Sequence, residues 1–399
     1  MTLHRRGLLF VAVGLLLLTA AAGSVASAAA DATAAADATV TQVMSGLDNP
    51  RGLAFGPQGA LYVAEAGRGG FGLEAWSCAL YPTDPSGYGF IGRVGGSRCY
   101  GPTGAIGRLW HGVQERVATG LPSQARTTDG GNAIGPQDIA MLGVGSAQVT
   151  IGLQQPPEWG VTYPFLSDFA WLAQVEPSGE WRFVADLGAY EAVNNPDGGL
   201  LDTNPYGMLA VHDGHVLTDA GGNSLLRVGW NGDISTLAVF QSRGTDPPRS
   251  SDSVPTTVAI GPDGAYYVGE LTGIPVFPGL ANVYRVVPGE SVPGEPPLIL
   301  ADQACVPGFS TIIDIAFDEE GNLYVLQYGY LDGLGSLIRV TPDDGHPGGI
   351  CSQYQTGTRT TILGGLSQPT SVAVGPDGAL YVSNHGASAG VGEVLRVEP

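Results

Sequence analysis

Short runs of apolar residues alternate with glycine-containing turns along most of this chain, and one such arrangement recurs six times. A clear copy runs from Pro50 to Val63 with a turn at Gly59, and another runs from Pro369 to Val382. The six copies begin at residues 50, 136, 205, 255, 312 and 369, and each has a glycine nine residues after its start. This constant offset indicates that the weaker copies belong to the same repeat.

Each copy predicts a strand, a tight turn and a second strand. In the copy that begins at Pro255, apolar residues 258–260 precede Pro262-Asp263-Gly264, where proline fixes φ and glycine accepts positive φ. A third strand is predicted at 106–109, 225–228, 283–286, 337–340 and 394–397, and a fourth strand follows, as at 234–240 and 360–363. Four antiparallel strands repeated in this way predict an all-β, six-bladed β-propeller.

The last copy stops after its third strand, at Pro399. The missing fourth strand is matched by residues 39–47 at the other end of the chain, which resemble the fourth strands before Gly120 and Gly365. We therefore expect the N-terminal strand to pair into the last blade and to close the ring, which removes exposed sheet edges.

The first residues have the pattern of an export signal. Arg5-Arg6 precedes an apolar run over 8–22, and Ala26-Ser27-Ala28 is a small-residue cleavage site. We predict a signal peptide over 1–28, a disordered Ala/Asp/Thr linker over 29–38 and one propeller domain over 39–399. The expected location is periplasmic or extracellular, without stable membrane insertion, and the route, Sec or Tat, stays open.

The charge of the chain excludes several classes of partner. The formal net charge is −20, and every basic residue is an arginine. Nucleic acid and anionic membrane surfaces are therefore not expected as partners. The absence of lysine from the sequence also excludes Schiff-base chemistry on a lysine. We expect a monomer that binds a small molecule or an extracellular protein.

Four cysteines, in an exported chain, predict disulfides. Cys78 and Cys99 lie in one long insertion of the first blade and are expected to pair. Exclusion would pair Cys305 with Cys351. However, the repeat places Cys305 in a loop between blades and Cys351 in a loop between third and fourth strands, which belong to opposite faces. The second pairing therefore stays open at this point.

Nearly all insertions fall on one face of the predicted ring, which we call the long-loop face; the opposite side is the short-turn face. They are residues 66–103, 154–170, 188–204, 241–254, 271–281 and 301–311. Long loops on a rigid scaffold commonly carry binding sites. Polar residues end five of the second strands at this face, and two more follow in segments rich in small residues. These candidate ligand-binding residues are Glu65, Arg68, Asp219, Asn223, Glu270, Gln327 and Asn384.

An alternative interpretation is open for the residues that end the second strands: each side chain could instead cap the next turn by bonding its backbone. A second candidate is the pair Asp138 and Asp314, in blades that face each other across the ring. Their carboxylates are weak candidate ligands for Ca²⁺ or another divalent cation in the central channel, and two solvated aspartates are the alternative. No other cofactor is evident. His212 and His215 flank a turn at Gly214 and are expected on the surface.

Several segments resemble the ScyD/ScyE family of exported, NHL-like propellers that are associated with scytonemin-type pigment clusters. The similar segments are residues 46–53, 64–70, 100–106, 204–207, 219–223 and 269–275. The resemblance implies an exported propeller that binds a ligand or partner, with a link to secondary-metabolite handling. It implies no catalytic residues, and no nucleophile–base pair can be assigned from spacing, so catalysis stays open.

Two enzyme families share this architecture. Metal-dependent hydrolases of the gluconolactonase type carry an acid or amide directly after the proline that starts each repeat. Here those positions are Arg51, Gln137, Tyr206, Thr256, Ile313 and Thr370. Quinone-dependent sugar dehydrogenases need basic residues for the cofactor carboxylates, and Arg68 is the candidate near the predicted site. We keep the metal-dependent hydrolase or lactonase as the alternative function.

Overall fold

The computed structural model of the 399-residue chain describes residues 33–34, 38–71, 78–79, 98–242, 251–288, 296–330 and 333–399. They form six sheets, which are antiparallel except for one short parallel pair at the edge of blade three. Each innermost strand contacts the innermost strands of the neighbouring sheets. The protein is a six-bladed β-propeller, as the repeat predicts. The predicted signal peptide lies outside the described residues.

Each blade is a four-stranded sheet. The innermost strands of blades one to six are Pro50–Phe55, Pro136–Met141, Pro205–Val211, Pro255–Ile260, Ile312–Phe317 and Ser371–Val374. The second strands are Leu61–Glu65, Ala147–Ile151, Gly214–Asp219, Tyr266–Glu270, Leu323–Gln327 and Leu380–Asn384. The third strands are Arg98–Trp110, Trp171–Val175, Ser224–Gly229, Ala281–Val286, Gly335–Thr341 and Gly392–Glu398. The outermost strands are Val113–Arg126, Trp181–Asp186, Ile234–Phe240, Val306–Phe309, Thr358–Leu366 and Thr39–Leu47.

Short elements decorate the connections between these strands. Three two-residue strands lie at blade edges: Thr33–Ala34, Cys78–Ala79 and Leu298–Ile299. The α-helices are Trp159–Thr162, Leu187–Asn194 and Ile350–Thr356, and the 3-10 helices are Pro164–Asp168 and Ala301–Gln303. In the described part of the chain, no helix is long and apolar enough to cross a membrane.

The N-terminal strand closes the ring, which confirms the prediction. Thr39–Leu47 pairs antiparallel with Gly392–Glu398, with Thr39 opposite Glu398 and Leu47 opposite Gly392. Met44 and Leu47 are both 1% exposed and pack against Val63 of blade one and Val394 of blade six. The closing strand therefore joins the last blade to the first through the core as well as through backbone hydrogen bonds.

The hydrophobic core lies between the faces of neighbouring blades. One apolar cluster joins Tyr62 of blade one to Val149 of blade two, and another joins Tyr267 of blade four to Ile315 of blade five. Second strands are the most buried because both faces of each sheet are covered; all five residues of Leu61–Glu65 are buried. This burial on both faces explains why these strands read as continuous apolar runs.

The position predicted for Cys305 is wrong, and the correction explains a disulfide. Residues 306–309, assigned from sequence to a loop between blades, are the outermost strand of blade four, so Cys305 ends the connection between third and fourth strands. Cys351 lies in the same connection of blade five, on the same face. Cys305 and Cys351 form a disulfide with Cα atoms 4.7 Å apart. Cys99 is also disulfide-bonded, and the backbone of Cys78 lies opposite it.

The surface position predicted for His215 is also wrong. His215 is 1% exposed, and its ring packs edge-to-face on Trp230, with centroids 4.7 Å apart. Its Nε2 is buried without a hydrogen-bond partner among the described residues. Burial of the imidazole lowers the pKa of His215 to about 4, because the charged form would lose its hydration. His212 is exposed, as expected.

We predict that His215 makes the fold acid-sensitive. A folded-state pKa of about 4 lies below the ordinary value, so the unfolded chain binds the proton first and stability falls as pH drops from about 6.5 to 4. The loss should reach roughly 3 kcal/mol near pH 4. Urea unfolding of wild type and His215→Phe at pH 7 and pH 4 measures the loss in free energy of unfolding. The variant should lose less than wild type. The His212→Asn control should behave as wild type, and equal losses in wild type and His215→Phe would contradict the prediction.

Candidate functional site

Six residues at equivalent positions of the innermost strands form a ring around the axis, which we call the waist. Its members lie two positions after each repeat start: Gly52, Asp138, Gly207, Thr257, Asp314 and Ser371. Since the innermost strands run side by side around the axis, side chains at this position meet those of the neighbouring blades. The two predicted aspartates belong to this ring, on the innermost strands of blades two and five.

Asp314 joins three consecutive blades. Its Oδ1 accepts hydrogen bonds from Thr257 Oγ1 at 2.6 Å and from the N–H of Ile315 at 2.8 Å. Its Oδ2 accepts from Ser371 Oγ at 2.7 Å and from the N–H of Val372 at 2.8 Å. Thr257 belongs to blade four and Ser371 to blade six, so this one carboxylate holds both neighbours of blade five.

Asp138 has the same role on the opposite side of the ring. Its Oδ1 accepts from the N–H of Ile139 at 2.8 Å, and its Oδ2 accepts from the N–H of Met208 in blade three at 2.7 Å. Towards blade one it packs against Gly52: a Cβ at Gly52 would lie 1.9 Å from Asp138 Oδ1 and 2.7 Å from Asp138 Cα. Only a glycine fits beside this carboxylate.

Burial raises the pKa of Asp138 well above its ordinary value, and the charge of Asp314 adds to the effect. Burial also raises the pKa of Asp314, although its hydrogen bonds oppose that shift. All four carboxylate oxygens already accept a backbone N–H. No group of three or more His, Cys, Asp or Glu side chains in the described ranges is arranged to hold a metal ion. A divalent cation at the waist stays a prediction.

Arg51 and Tyr206 lie on innermost strands and Tyr328 directly follows a second strand, all on the long-loop side of the waist; we call this group the mouth. Arg51 is 9% exposed. Its Nη1 donates to the carbonyl oxygen of Gly386 at 2.5 Å and its Nη2 to that of Ala133 at 2.7 Å. Its Nε is buried without a partner among the described residues. The guanidinium thus bridges the loops of blades six and two beside blade one.

Tyr206 and Tyr328 reach the mouth from blades three and five. Both are half-buried and pack against the apolar cluster that contains Ile313. Burial raises the pKa of Tyr206 to about 12 and also raises the pKa of Tyr328, and the positive charge of Arg51 opposes both shifts. Tyr206 and Tyr328 therefore share one apolar cluster and lie within electrostatic range of Arg51, although the three residues come from three alternate blades. The charges of Asp314 and Asp138 further raise the pKa of Tyr206.

Tyr330 extends this aromatic surface outward. Its ring centroid lies 5.8 Å from that of Tyr328, in a tilted arrangement, and the residue is 42% exposed. The mouth therefore offers aromatic faces at increasing exposure, with a buried guanidinium beside them. Two shallow surface depressions lie elsewhere, one beside Trp230 on blade three and one beside Trp181 on blade two, away from the channel.

The predicted residues at the ends of the second strands cap backbone. Glu65, Asp219 and Glu270 are fully buried, and Gln327 and Asn384 are partly or wholly buried. Each of the five accepts a backbone N–H at 2.7 to 2.9 Å; in chain order, the donors are Asp48, Asn204, Asn282, Ser310 and Ser367. Four of these donors lie just before an innermost strand, so the side chains fix the turns that lead into the ring. Ligand contact at these residues stays a prediction.

Glu65 carries an additional ion pair. Arg116 donates from Nε to Glu65 Oε1 at 2.8 Å and from Nη2 to Glu65 Oε2 at 2.6 Å, and it also contacts Asp48 at 3.1 Å. The hydrogen bonds to Glu65 are the main cause of a raised pKa at Arg116. This two-pronged contact gives both oxygens of a fully buried carboxylate a donor within blade one.

The last two predicted ligand residues have different surroundings. Arg68 is exposed, and its guanidinium has no hydrogen-bond partner among the described residues. Asn223 is buried with left-handed backbone, φ 46°. Its Nδ2 donates to Asp197 Oδ2 at 2.8 Å, and its Oδ1 accepts from the N–H of Val254 at 3.0 Å. Asp219 and Asn223 lie in the same turn. Glu270 accepts hydrogen bonds from Asn282 of its own blade and from Ser253 in the turn that leads into that blade.

Sequence reasoning missed the mouth. Arg51 and Tyr206 stood out only as departures from a hydrolase pattern, and Tyr328 did not stand out at all. A signal was present: Tyr328 directly follows a second strand, at a position where no other blade has a phenylalanine, tyrosine or tryptophan. The other residues at that position are Ala66, Gly152, Ala220, Leu271 and His385.

Comparison with solved structures finds similarities of low identity over most of the chain. A candidate oxidoreductase (glucose dehydrogenase) from Thermus thermophilus is 21% identical, with a TM-score of 0.37 over 90% of this chain and 100% of the other. A protein of unknown function from Bacteroides thetaiotaomicron is 10% identical, with a TM-score of 0.48 over 92% and 77%. A candidate gluconolactonase is 14% identical, with a TM-score of 0.32 over 73% and 89%.

No protein-family model matches the sequence, and no curated protein matches it. Membership of the ScyD/ScyE family is therefore not confirmed, and the similar solved structures include a candidate glucose dehydrogenase and a candidate gluconolactonase. At these identities the similarities concern the fold alone. The function has to be argued from the side chains of this chain.

We predict that Gly52→Ala destabilises the protein by about 2 kcal/mol or more, because the new methyl group would collide with the backbone of Asp138 as well as its side chain. Gly143→Ala is the matched control, since nothing lies within 4 Å of the methyl group it would add. Urea unfolding followed by tryptophan fluorescence measures both changes. The control should shift by less than about 0.5 kcal/mol, and a similarly small shift for Gly52→Ala would contradict the tight fit at the waist.

Proposed function

We propose that this protein is an exported binding propeller of the ScyD/ScyE type that holds a small aromatic molecule at the mouth of its channel. The observation that carries the proposal is the convergence of Arg51, Tyr206 and Tyr328, from three alternate blades, at one end of the axis. Ligands of propellers and barrels commonly bind where loops surround such an opening.

The chemistry of the mouth favours an aromatic ligand with a polar group. The rings of Tyr206, Tyr328 and Tyr330 offer faces for offset or edge-to-face contacts, and their hydroxyls can exchange hydrogen bonds with the ligand. The guanidinium of Arg51 adds a cationic face, which attracts a π-system. A strongly anionic ligand is disfavoured, because Asp314 lies below the mouth and the chain carries a net charge of −20.

The predicted export of the chain supports the same proposal. Residues 5–28 have the charged, apolar and small-residue pattern that predicts a signal peptide, and a disulfide joins Cys305 to Cys351. An exported, aromatic-binding propeller fits the resemblance to proteins associated with scytonemin-type pigments. In this role the protein would bind, shield or pass on a phenolic metabolite outside the cytoplasm.

The test uses 4-hydroxybenzamide as an uncharged aromatic probe and cyclohexanecarboxamide as its non-aromatic counterpart. Isothermal titration calorimetry should detect binding of the first and not of the second. Tyr206→Leu and Tyr328→Leu should each weaken binding about 3- to 10-fold, because each removes one aromatic contact. Tyr266→Leu is the matched control, a half-buried tyrosine at the short-turn end of blade four, and it should leave binding unchanged.

Circular dichroism and thermal unfolding establish that each variant is folded. Wild-type affinity in both Tyr206→Leu and Tyr328→Leu, or equal binding of the two probes, would overturn the proposal. The protein could instead hydrolyse a lactone probe. If this activity requires a divalent cation and is lost in Asp138→Asn, the result favours the metal-dependent hydrolase of the gluconolactonase type.

A further inference from the structure

Two shallow depressions on the short-turn face have similar linings. The first has a volume of about 430 Å³ and lies at the hairpin between the third and fourth strands of blade three. The second, of about 520 Å³, lies at the equivalent hairpin of blade two. Third strands end and outermost strands begin at this face, so both depressions lie on the side of the disc opposite the mouth.

Trp230 forms one side of the first depression, and two contacts hold its ring. The residue is 52% exposed. Its Nε1 donates to the carbonyl oxygen of His212 at 3.1 Å, and the ring packs against that of the buried His215. Because these contacts restrain the side chain, the exposed part of the indole is an aromatic surface that loses little conformational entropy when a ligand binds.

Polar side chains surround this ring. Asp213 is exposed and forms an ion pair with Arg227. Asn231 Nδ2 donates to Asp233 Oδ2 at 2.5 Å, and Asn231 Oδ1 accepts the N–H of Asp233 at 3.2 Å. These contacts orient the side chains and leave further lone pairs on their oxygens for a ligand. Ser235, which is exposed on the outermost strand, completes the lining.

The second depression repeats this arrangement with other residues. Trp181 is half-buried, and its Nε1 donates to the carbonyl oxygen of Thr119 in blade one at 3.3 Å. Its ring meets that of Phe183 edge-to-face, with centroids 5.4 Å apart. The lining also includes Glu176, Glu180 and Arg182. In both depressions, a tryptophan that is anchored by its N–H therefore lies beside one arginine and two acids.

The two depressions are neighbours on the disc. Gly232, in the hairpin of blade three, packs against the outermost strand of blade two, and a Cβ on it would lie 3.3 Å from the carbonyl oxygen of Val184. Trp181 begins that strand, three residues before Val184. At the usual rise of a strand, Trp181 is about 10 Å from the residue that the blade three hairpin touches. A polymer is therefore long enough to contact both depressions at once.

The linings distinguish between classes of ligand. Among the described residues that line each depression, the tryptophan is the one large apolar side chain. The core of a protein–protein contact buries several apolar side chains, which these linings do not offer. A hexopyranose has a flat face of C–H groups and a rim of hydroxyls. It therefore matches a single aromatic ring bordered by carboxylate, amide and guanidinium groups.

We propose that the two depressions together bind a neutral glucan. In a β-glucopyranose unit the hydroxyls are equatorial, so both faces of the sugar ring expose C–H groups and can stack on an indole. Each lining carries two acids against one arginine, and the chain has a net charge of −20. An anionic polysaccharide is disfavoured for this reason.

Binding of a glucan on the short-turn face would leave the mouth accessible. The depressions share no residue with the mouth or with the waist, so their occupancy does not depend on the ligand proposed for the mouth. An exported protein attached to a polysaccharide in this way would be retained outside the cell with its long-loop face turned away from the polymer.

Affinity electrophoresis in native gels tests the proposal. Laminarin, hydroxyethyl cellulose and dextran are the neutral glucan probes, and alginate is the anionic counterpart. At least one glucan should retard the wild-type protein, and alginate should not. Trp181→Ala and Trp230→Ala should each raise the apparent Kd for that glucan about 3- to 10-fold, because each removes one stacking surface. The double variant should raise it more than about 10-fold, because both linked contacts are lost.

Trp110→Ala is the matched control. Trp110 lies in the equivalent hairpin of blade one and is 37% exposed, but its ring packs against His111 with centroids 4.6 Å apart, and the guanidinium of Arg108 lies over it at 5.4 Å. Trp110 is not among the described residues that line either depression. This variant should therefore be retarded as strongly as wild type.

Ser235→Leu provides a test that keeps Trp230 over His215. The larger side chain would fill the first depression from an exposed position, so it should weaken retardation as Trp230→Ala does. Circular dichroism establishes that each variant is folded. Failure of all three glucans to retard the wild-type protein would overturn the proposal. Unchanged retardation of the double variant, an equal loss in Trp110→Ala, or equal retardation by alginate would overturn it as well.

Discussion

Closure of the ring by pairing of Thr39–Leu47 with Gly392–Glu398 is the constraint on which the remaining structure depends. An open propeller would leave blade six as a three-stranded sheet with an unpaired edge, and it would uncover Met44 and Leu47. Closure also brings blade six against blade one, where the N–H of Leu53 donates to Ser371 Oγ and Thr370 Oγ1 donates to the carbonyl oxygen of Pro50. The waist and the mouth exist because these two ends of the chain meet.

Much of this architecture could be read from the sequence because its signals are local. An apolar run, a turn with a glycine at a fixed offset and a second run lie within fifteen residues of each other, so the start of each blade can be recognised from its own residues. The outermost strand Val306–Phe309 escaped recognition because it has four residues, two of which are Pro307 and Gly308. Pairing with the third strand of blade four sets the register of this strand. Because the strand was not recognised, Cys305, which directly precedes it, was assigned to the wrong loop. His215 escaped for a similar reason, since the tryptophan that covers it belongs to the next hairpin.

The site was harder to predict because its chemistry is long-range. A carboxylate or amide at the end of a second strand looks like a ligand-binding group in the sequence. In the fold, the nearest unsatisfied donor is a backbone N–H some 17 residues earlier, as for Glu65 and the amide of Asp48. Conversely, Tyr206 and Tyr328 are ordinary residues in isolation and become neighbours only after three blades have been arranged around an axis. Buried backbone N–H groups need a hydrogen-bond acceptor. This need explains why side chains that the sequence suggested as ligand contacts cap turns in the fold.

The hydrogen bonds of Asp314 have a consequence for how neighbouring blades depend on one another. One carboxylate accepts from Thr257 of blade four through one oxygen and from Ser371 of blade six through the other. Loss of this single side chain would therefore loosen two blade junctions at once, whereas loss of either hydroxyl would loosen only one.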